Sequence, residues 1–436
     1  MKITFLGAGS TVFAKNVLGD CIVTPELGEF HISLHDIDPQ RLEDSRMILE
    51  NINKSMNGKA TISAHLDRKE SLVGANYVVN AIQVGGYDPC TITDFEVPKK
   101  YGLRQTIADS MGIGGIFRSL RTIPVLADFA KDIEEVCPDA IFLNYTNPMS
   151  SLTGFMLKHT NVKTIGLCHS VQVAVPHLLK TLKMEEYTDN CVWEVGGINH
   201  QNWLIKLEDL KGNDLYPEVK RRAADPNGGY EKDWDLVRLD MMQRFGYYIT
   251  ESSEHNAEYS NWYIKKNYPE LIEKYKIPLD EYITRCKTQI AGWEALREEI
   301  LADTEQKHEL SPEYGSYIIK AAETDKPIKI YGNVLNTGLI PNLPSSAVVE
   351  VPCVIDRNGV TPCYVGEIPE QCAAINRISI GVQNLTVMAA TELKKEYIYM
   401  AAMLDPHTSA ELSPDDIKAL CDDMIEAHDG WLPKYR

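Results

Sequence analysis

A glycine turn wedged between a short apolar strand and the start of a helix constrains this chain more than any other stretch. Lys2 to Leu6 reads as a buried strand, Gly7-Ala8-Gly9-Ser10-Thr11 as a tight turn, and Val12 to Leu18 as the opening of a helix. In that order, backbone N–H groups and the helix dipole converge on one point, which suits a pyrophosphate. Val12 stands where the full dinucleotide fingerprint has its third glycine, so the turn does not suffice by itself. The next strand, His31 to Leu34, ends in His35-Asp36-Ile37-Asp38. An acid at the tip of a second strand suits the ribose hydroxyls of NAD and repels the extra phosphate of NADP. An acidic turn in an α/β domain without nucleotide is the plain alternative.

The pattern continues. Pro39 to Met56 reads as an amphipathic helix, Thr61 to Ala64 and Tyr77 to Ala81 as strands, and Ile82-Gln83-Val84-Gly85-Gly86-Tyr87 as a second glycine turn, open to a cofactor or to solvent. Asp109-Ser110-Met111-Gly112-Ile113-Gly114-Gly115 looks like a loop over a site, ahead of a helix Arg118 to Val136 that contains Pro124. A fifth strand, Ala140 to Leu143, ends in Asn144-Tyr145-Thr146-Asn147-Pro148-Met149, and a sixth ends at Cys168. Strands alternating with helices predict a doubly wound, Rossmann-like parallel sheet whose rim gathers Gly7, Asp36, Gly85, Asn147 and Cys168. The cofactor set expected there is Gly7, Gly9, Ser10, Thr11, Asp36, Asn80 and Gly85. Beyond Ser170 the helical patterns lengthen and short apolar strands thin out. We place a domain change there: 1–170 for the nucleotide, and 171–436 as an α+β domain for substrate, metal and oligomerisation. Long helices are expected at Ile375 to Leu404 and Pro414 to His428.

A chain of 436 residues, 44% of them hydrophobic, exceeds one ordinary core. With 44 basic against 62 acidic residues and a net charge of -18, nucleic acid and anionic membrane are disfavoured as partners. A small molecule is expected, bound by a homo-oligomer, dimer or tetramer. The amino terminus does not read as a signal peptide and no apolar run approaches spanning length, so a cytoplasmic location is expected. The ten cysteines are scattered, without zinc-knuckle or disulfide spacing.

One of them stands out. Lys163 to Ser170 delivers Cys168 and His169 at the carboxyl end of a strand, where open α/β sheets bind ligands. Adjacent residues on an extended chain face opposite ways, so two roles are expected: a soft metal ligand for the thiolate, and a ligand or proton carrier for the imidazole. A buried structural Cys beside a surface His is the alternative. A second glycine-histidine segment, Gly196-Gly197-Ile198-Asn199-His200, lies further on.

Taken together and in this order, Gly7-Ala-Gly-Ser-Thr11, Asp36-Ile-Asp38, Asn144-Tyr-Thr-Asn147-Pro148, Leu167-Cys168-His169-Ser170 and Gly197-Ile-Asn-His200 resemble the NAD- and metal-dependent family 4 glycoside hydrolases. The resemblance spans the chain. It is strongest to the α-galactosidase branch, through Thr93-Asp-Phe-Glu96, Gln105-Thr-Ile-Ala-Asp109, Gly166 to Gln172, Thr250-Glu-Ser-Ser-Glu-His255 and Leu404-Asp-Pro-His-Thr408. It implies hydrolysis by redox-assisted elimination. NAD oxidises C3 of the sugar, a base removes the acidified C2 proton while the metal stabilises the enediolate, and the glycosidic oxygen leaves with help from an acid. Water then adds at C1 and the hydride returns.

The resemblance also distributes roles. Cys168 and His200 correspond to the ligands of a divalent ion, usually manganese, and His169 falls free as the general acid, or else as a partner orienting the metal site. Asn147 corresponds to a contact with the sugar hydroxyls, a capping Asn being the alternative; Arg285 resembles a substrate-side arginine, or else forms a surface salt bridge. For the C2 base, Tyr248, Glu251 and Asp109 all stay open. The sugar implied is a terminal α-galactoside, with α-galacturonides as the competitor because one Arg or Lys could bind a C6 carboxylate. An NAD-dependent 2-hydroxy acid dehydrogenase shares the first-domain pattern but would leave Cys168 and His200 without a purpose.

Overall fold

The structure, a computed structural model, describes residues 1–302 and 305–436. Its frame is one mixed sheet. Six strands supply the parallel part: β1 (Lys2–Leu6), β2 (Phe30–His35), β3 (Ala60–His65), β4 (Tyr77–Asn80), β5 (Ile141–Asn144) and β6 (Lys163–Gly166). They run in the order β3-β2-β1-β4-β5-β6, with every neighbouring pair parallel. Residues such as Ile3, Phe5, Ile32, Leu34, Val78, Val79, Phe142 and Leu143 are fully shielded. That is why these strands read as short apolar runs: helices cover both faces.

The remaining strands are β7 (Cys191–Ile198), β8 (Gln201–Asp209), β9 (Tyr248–Ile249), β10 (Ile328–Leu335), β11 (Val348–Asp356) and β12 (Gly359–Pro362). They extend the sheet past β6 in the order β10-β11-β7-β8-β9, with β12 on β11, and all pair antiparallel. The expectation that strands thin out after Ser170 is thereby corrected. Of these, β7, β8, β10 and β11 are long, and they carry buried polar residues, Asn333, Asn202 and Glu350 among them, which breaks up the apolar signal.

Two further expectations shift. The helix Gly112–Val136 already includes the glycines read as loop, because a Cβ on Gly114 would stand 2.6 Å from the Ala108 oxygen and one on Gly115 2.5 Å from the Ser110 carbonyl carbon. Glycine here permits the helix to start against the Asp109 turn. The long C-terminal helix is two, Glu370–Glu392 and Lys395–Leu404, separated by Leu393 at φ 55°. Pro124 lies inside the first-named helix without ending it, and the last helix, Pro414–Ala427, is as expected.

Candidate active site

The carboxyl ends of the parallel strands and the β7–β8 hairpin meet at one cluster. Cys168 follows β6, and His200 stands in the two-residue turn between Ile198 and Gln201, held at φ 64°. Glu251 follows β9 at φ 67°, and Ala108, next to Asp109, sits at φ 56°. Three non-glycine residues in left-handed conformations at one place, each costing about 1–3 kcal/mol, mark a site whose surroundings hold it in shape.

The ligand atoms of Cys168, His200 and Glu251 all lie within 4.8 Å of one another, and so do those of Asp109, His200 and His255. His200 Nε2 is 3.3 Å from Glu251 Oε2, while its Nδ1 is 3.0 Å from the Tyr259 hydroxyl. Tyr259 thereby fixes the ring and leaves Nε2 facing the thiol and carboxylate. His255 bridges the two acids, with Nδ1 3.4 Å from Glu251 and Nε2 3.5 Å from Asp109. Thiolate, imidazole and carboxylate suit a divalent transition ion, and an anion-rich set at this spacing fits one.

The electrostatics point the same way. Burial disfavours charge on His200, but Glu251, Cys168 and Asp109 outweigh it and raise the imidazole to about 10. Burial would raise the Asp109 carboxyl, yet His255, Arg118 and His200 hold it well below the usual carboxylate range. Glu251 is likewise lowered against burial by His200 and His255. The Asp109 turn is suspended from Glu258, a buried carboxylate accepting from the amides of Thr106 at 2.8 Å, Ile107 at 3.1 Å and Ala108 at 2.9 Å.

His169 lies beside the cluster rather than in it. Its Nε2 is 2.6 Å from Glu313 Oε2, and Tyr145 stacks on it with ring centres 6.0 Å apart. The Glu313 bond, opposed by burial, raises the imidazole. Asn147 places Nδ2 3.5 Å from Asp109, and its buried Oδ1 has no protein partner, so one acceptor is left open. Arg285 binds Glu281 at 2.8 Å and Glu254 at 2.6 Å, on the wall of a cavity that Glu251 also lines.

Tyr248 is the exception among the expected residues. It is fully buried on β9, beside β8, and its hydroxyl donates to Asp235 at 2.8 Å. Burial, with Asp235 adding to it, raises the phenol well above its ordinary value. The structure does not bring it to the cluster.

At the nucleotide end, Gly7 takes φ 88° and a Cβ there would stand 2.7 Å from the Ala81 oxygen. Gly9 N donates to Asp36 Oδ2 at 2.6 Å, joining the turn to the tip of β2. Ser10 caps the helix Thr11–Ile22 without a side-chain bond, so the amides of the first turn keep the open donors a phosphate needs. Asn80 binds Asn144 and Thr146 through Nδ2 and leaves Oδ1 unpartnered. Gly85, at φ 78°, packs on Cys90. These residues fit a dinucleotide along the rim.

Sequence reasoning missed His255, Tyr259, Glu258 and Glu313 as site residues. His255 lay within a quoted segment, and Ser252, which accepts from its amide at 3.5 Å, was a legible cap. Glu313 had no local signal.

The model described as family 4 glycosyl hydrolase matches residues 2–184, and that of the family's C-terminal domain matches residues 195–408. An α-galactosidase of Bacillus subtilis (strain 168) is 60% identical over 435 residues, covering 100% of both chains. An α-galactosidase of Rhizobium meliloti (strain 1021) is 33% identical over 446 residues, covering 100% of this chain and 89% of that one. A crystal structure of 6-phospho-α-glucosidase from gut microorganisms, in complex with NAD and Mn2+, superposes with a TM-score of 0.80 at 21% identity, covering 100% of this chain and 99% of that one. With both halves matched and relatives 60% and 33% identical along the whole of it, the chain belongs to the family 4 glycosyl hydrolases.

Proposed function

We propose that this enzyme hydrolyses terminal α-galactosides such as melibiose, using NAD and a divalent metal ion, Mn2+ in the first instance. The 60% identity to an α-galactosidase from end to end carries the reading. When bound, NAD supplies a reversible hydride acceptor for C3 and the metal ion polarises the C2 and C3 oxygens. Cys168 and His200 are assigned to the ion; the rim from Gly7 and Gly9 to Ser10, Thr11, Asp36, Asn80 and Gly85 is assigned to NAD.

The chain's own groups divide the proton work. Glu251 is assigned the C2 proton, because it alone of the two site acids lines the open cavity, and Asp109 and His255 hold it from behind. His169, oriented by Glu313, is assigned the proton for the leaving oxygen. Asn147 holds a sugar hydroxyl through its open Oδ1. Arg285 is engaged by two carboxylates, so it has little charge to offer a C6 carboxylate, which favours the galactoside over the galacturonide.

We assign 1–170 to the cofactor and 171–436 to metal, substrate and assembly. Ten free thiols, Cys168 foremost, suit a reducing cytoplasm. Exposed Ile378, Met388, Met400, Met403 and Leu404 on the helices Glu370–Glu392 and Lys395–Leu404 offer an apolar face for a second copy, which sedimentation would detect.

The test is a panel of nitrophenyl α-galactoside, α-glucoside and α-galacturonide, with NAD, Mn2+ and reductant present or omitted singly. Galactoside cleavage that needs all three, without accumulating NADH, is expected. Preference for the uronide, or full activity after exhaustive chelation, would overturn the reading.

A further inference from the structure

We propose that the cavity beside the metal cluster is the subsite for an uncharged leaving sugar, and that Trp234 is the platform on which that sugar lies. This rests on the hydrolase reading above. The cavity encloses about 470 Å³, within the usual size of a small-molecule site. It meets the cluster at Glu251 and reaches Ser170, the residue after His169, and none of its walls comes from the glycine turns before Ser170. The ring being oxidised at C3 has to face the nucleotide rim. The cavity lies on the side away from those turns and one residue along the chain from the acid, the side left for the departing alcohol.

Trp234 is built as a platform. Trp234 lines the cavity and remains 42% exposed, and unlike the comparably exposed Trp262 and Trp431 it stands on the wall of this cavity. The Arg238 guanidinium sits 5.0 Å from its ring centre, and His177 meets it edge-on at 5.7 Å. Arg238 is itself fixed by the buried Asp235, so the indole is braced on a rigid support. Sugars bury the C–H face of the pyranose ring on such surfaces and turn their hydroxyls to surrounding polar groups.

Charge decides the class of sugar. Each cation lining the cavity already has a carboxylate: Arg238 has Asp235, Lys276 has Asp233, and Arg285 has Glu254 and Glu281. Burial, followed by Arg238 and Lys180, lowers His177, which disfavours its charged form. Among the described residues no cationic side chain of the cavity is left over for a phosphate or a uronate, while Asp233 and Glu254 can accept from hydroxyls.

The experiment uses the full chain with NAD, Mn2+ and reductant. Specificity is read as the ratio of kcat/KM for melibiose, which releases glucose, to that for methyl α-galactoside, which releases methanol. Trp234→Ala should lower this ratio by about tenfold, Trp234→Phe should restore most of it, and glucose should inhibit wild type better than glucose 6-phosphate does. In parallel, glucose is titrated against the intrinsic fluorescence of the loaded protein, and quenching should be present in wild type and lost in Trp234→Phe. An unchanged ratio, or equal quenching in the two proteins, overturns the subsite. Failure of wild type to cleave either galactoside would instead sink the hydrolase reading, and the fluorescence titration would still report whether glucose meets Trp234.

Discussion

The two halves of the sheet place their functional groups by different means. In the parallel half, each group stands at a strand end: Gly7 after β1, Asp36 after β2, Asn80 at the end of β4, Cys168 two residues beyond β6. The strand itself aims them, and the helix that follows supplies the amides. In the antiparallel half, His200 and Glu251 occupy turns with φ 64° and 67°, held there by contacts from elsewhere in the chain. One half is pre-formed by local sequence, the other by tertiary support. The consequence is that damage to the antiparallel half should spread from residues that never touch substrate.

The largest effect tests the junction between the halves. Cys168→Ser and His200→Ala should each cost far more than the roughly 10–100-fold expected of a partner that only orients a ligand, and Tyr259→Phe should fall within that range. Mn2+ affinity measured by titration calorimetry separates the two classes. Equal affinity in His200→Ala and wild type would remove His200 from the site.

A second pair of variants compares the base candidates. Glu251→Gln should slow turnover by about 10²–10⁴-fold, whereas Tyr248→Phe should lower stability more than rate, because its hydroxyl serves the buried Asp235. Thermal melts beside kcat distinguish them. Loss of solvent exchange at C2 in Tyr248→Phe, with folding intact, would reverse the assignment.

Glu313→Gln should have a smaller, selective effect, on the order of tenfold on melibiose and less on nitrophenyl α-galactoside, whose leaving group needs little acid help. Equal losses on both substrates would make Glu313 a structural residue only.

The smallest effect concerns the sheet itself. Burial raises the carboxyl of Glu350, on β11, from 4.5 to about 7, against the pull of His200, Asn333 and Asn202. The folded protein holds this proton more tightly than the unfolded chain does. The stability it contributes is therefore complete below about pH 4.5 and is lost as pH rises through 7. Glu350→Gln should flatten the change in Tm between pH 5 and pH 8. An unaltered profile would contradict the assignment.

The same contrast explains what the sequence disclosed. Gly7, Asp36 and Cys168 were legible because a strand, a turn and a helix start are local patterns. His200 was noticed in a second glycine-histidine segment, and its ligand role came from the family resemblance. Glu251 entered as a base candidate through the family resemblance, but the left-handed backbone of Ala108 and Glu251 was not legible, since only glycine announces one. Glu313 reaches His169 across 144 positions and Tyr259 reaches His200 across 59, distances no periodicity encodes. Tyr248 failed for a related reason: a segment with two adjacent tyrosines does not reveal which faces the core. Leu393, which ends a helix without glycine or proline, gave no warning either.

The central claim is that the C2 proton is removed and returned during turnover at the Cys168–His200–Glu251 cluster. Melibiose deuterated at C2 of the galactose ring, hydrolysed in ordinary water by the enzyme loaded with NAD and Mn2+, tests it most directly. The account predicts galactose in which that deuterium has been exchanged for solvent hydrogen. Galactose that keeps it fully, with no slowing from deuterium at C2 or C3, would contradict the account and point to direct displacement at C1.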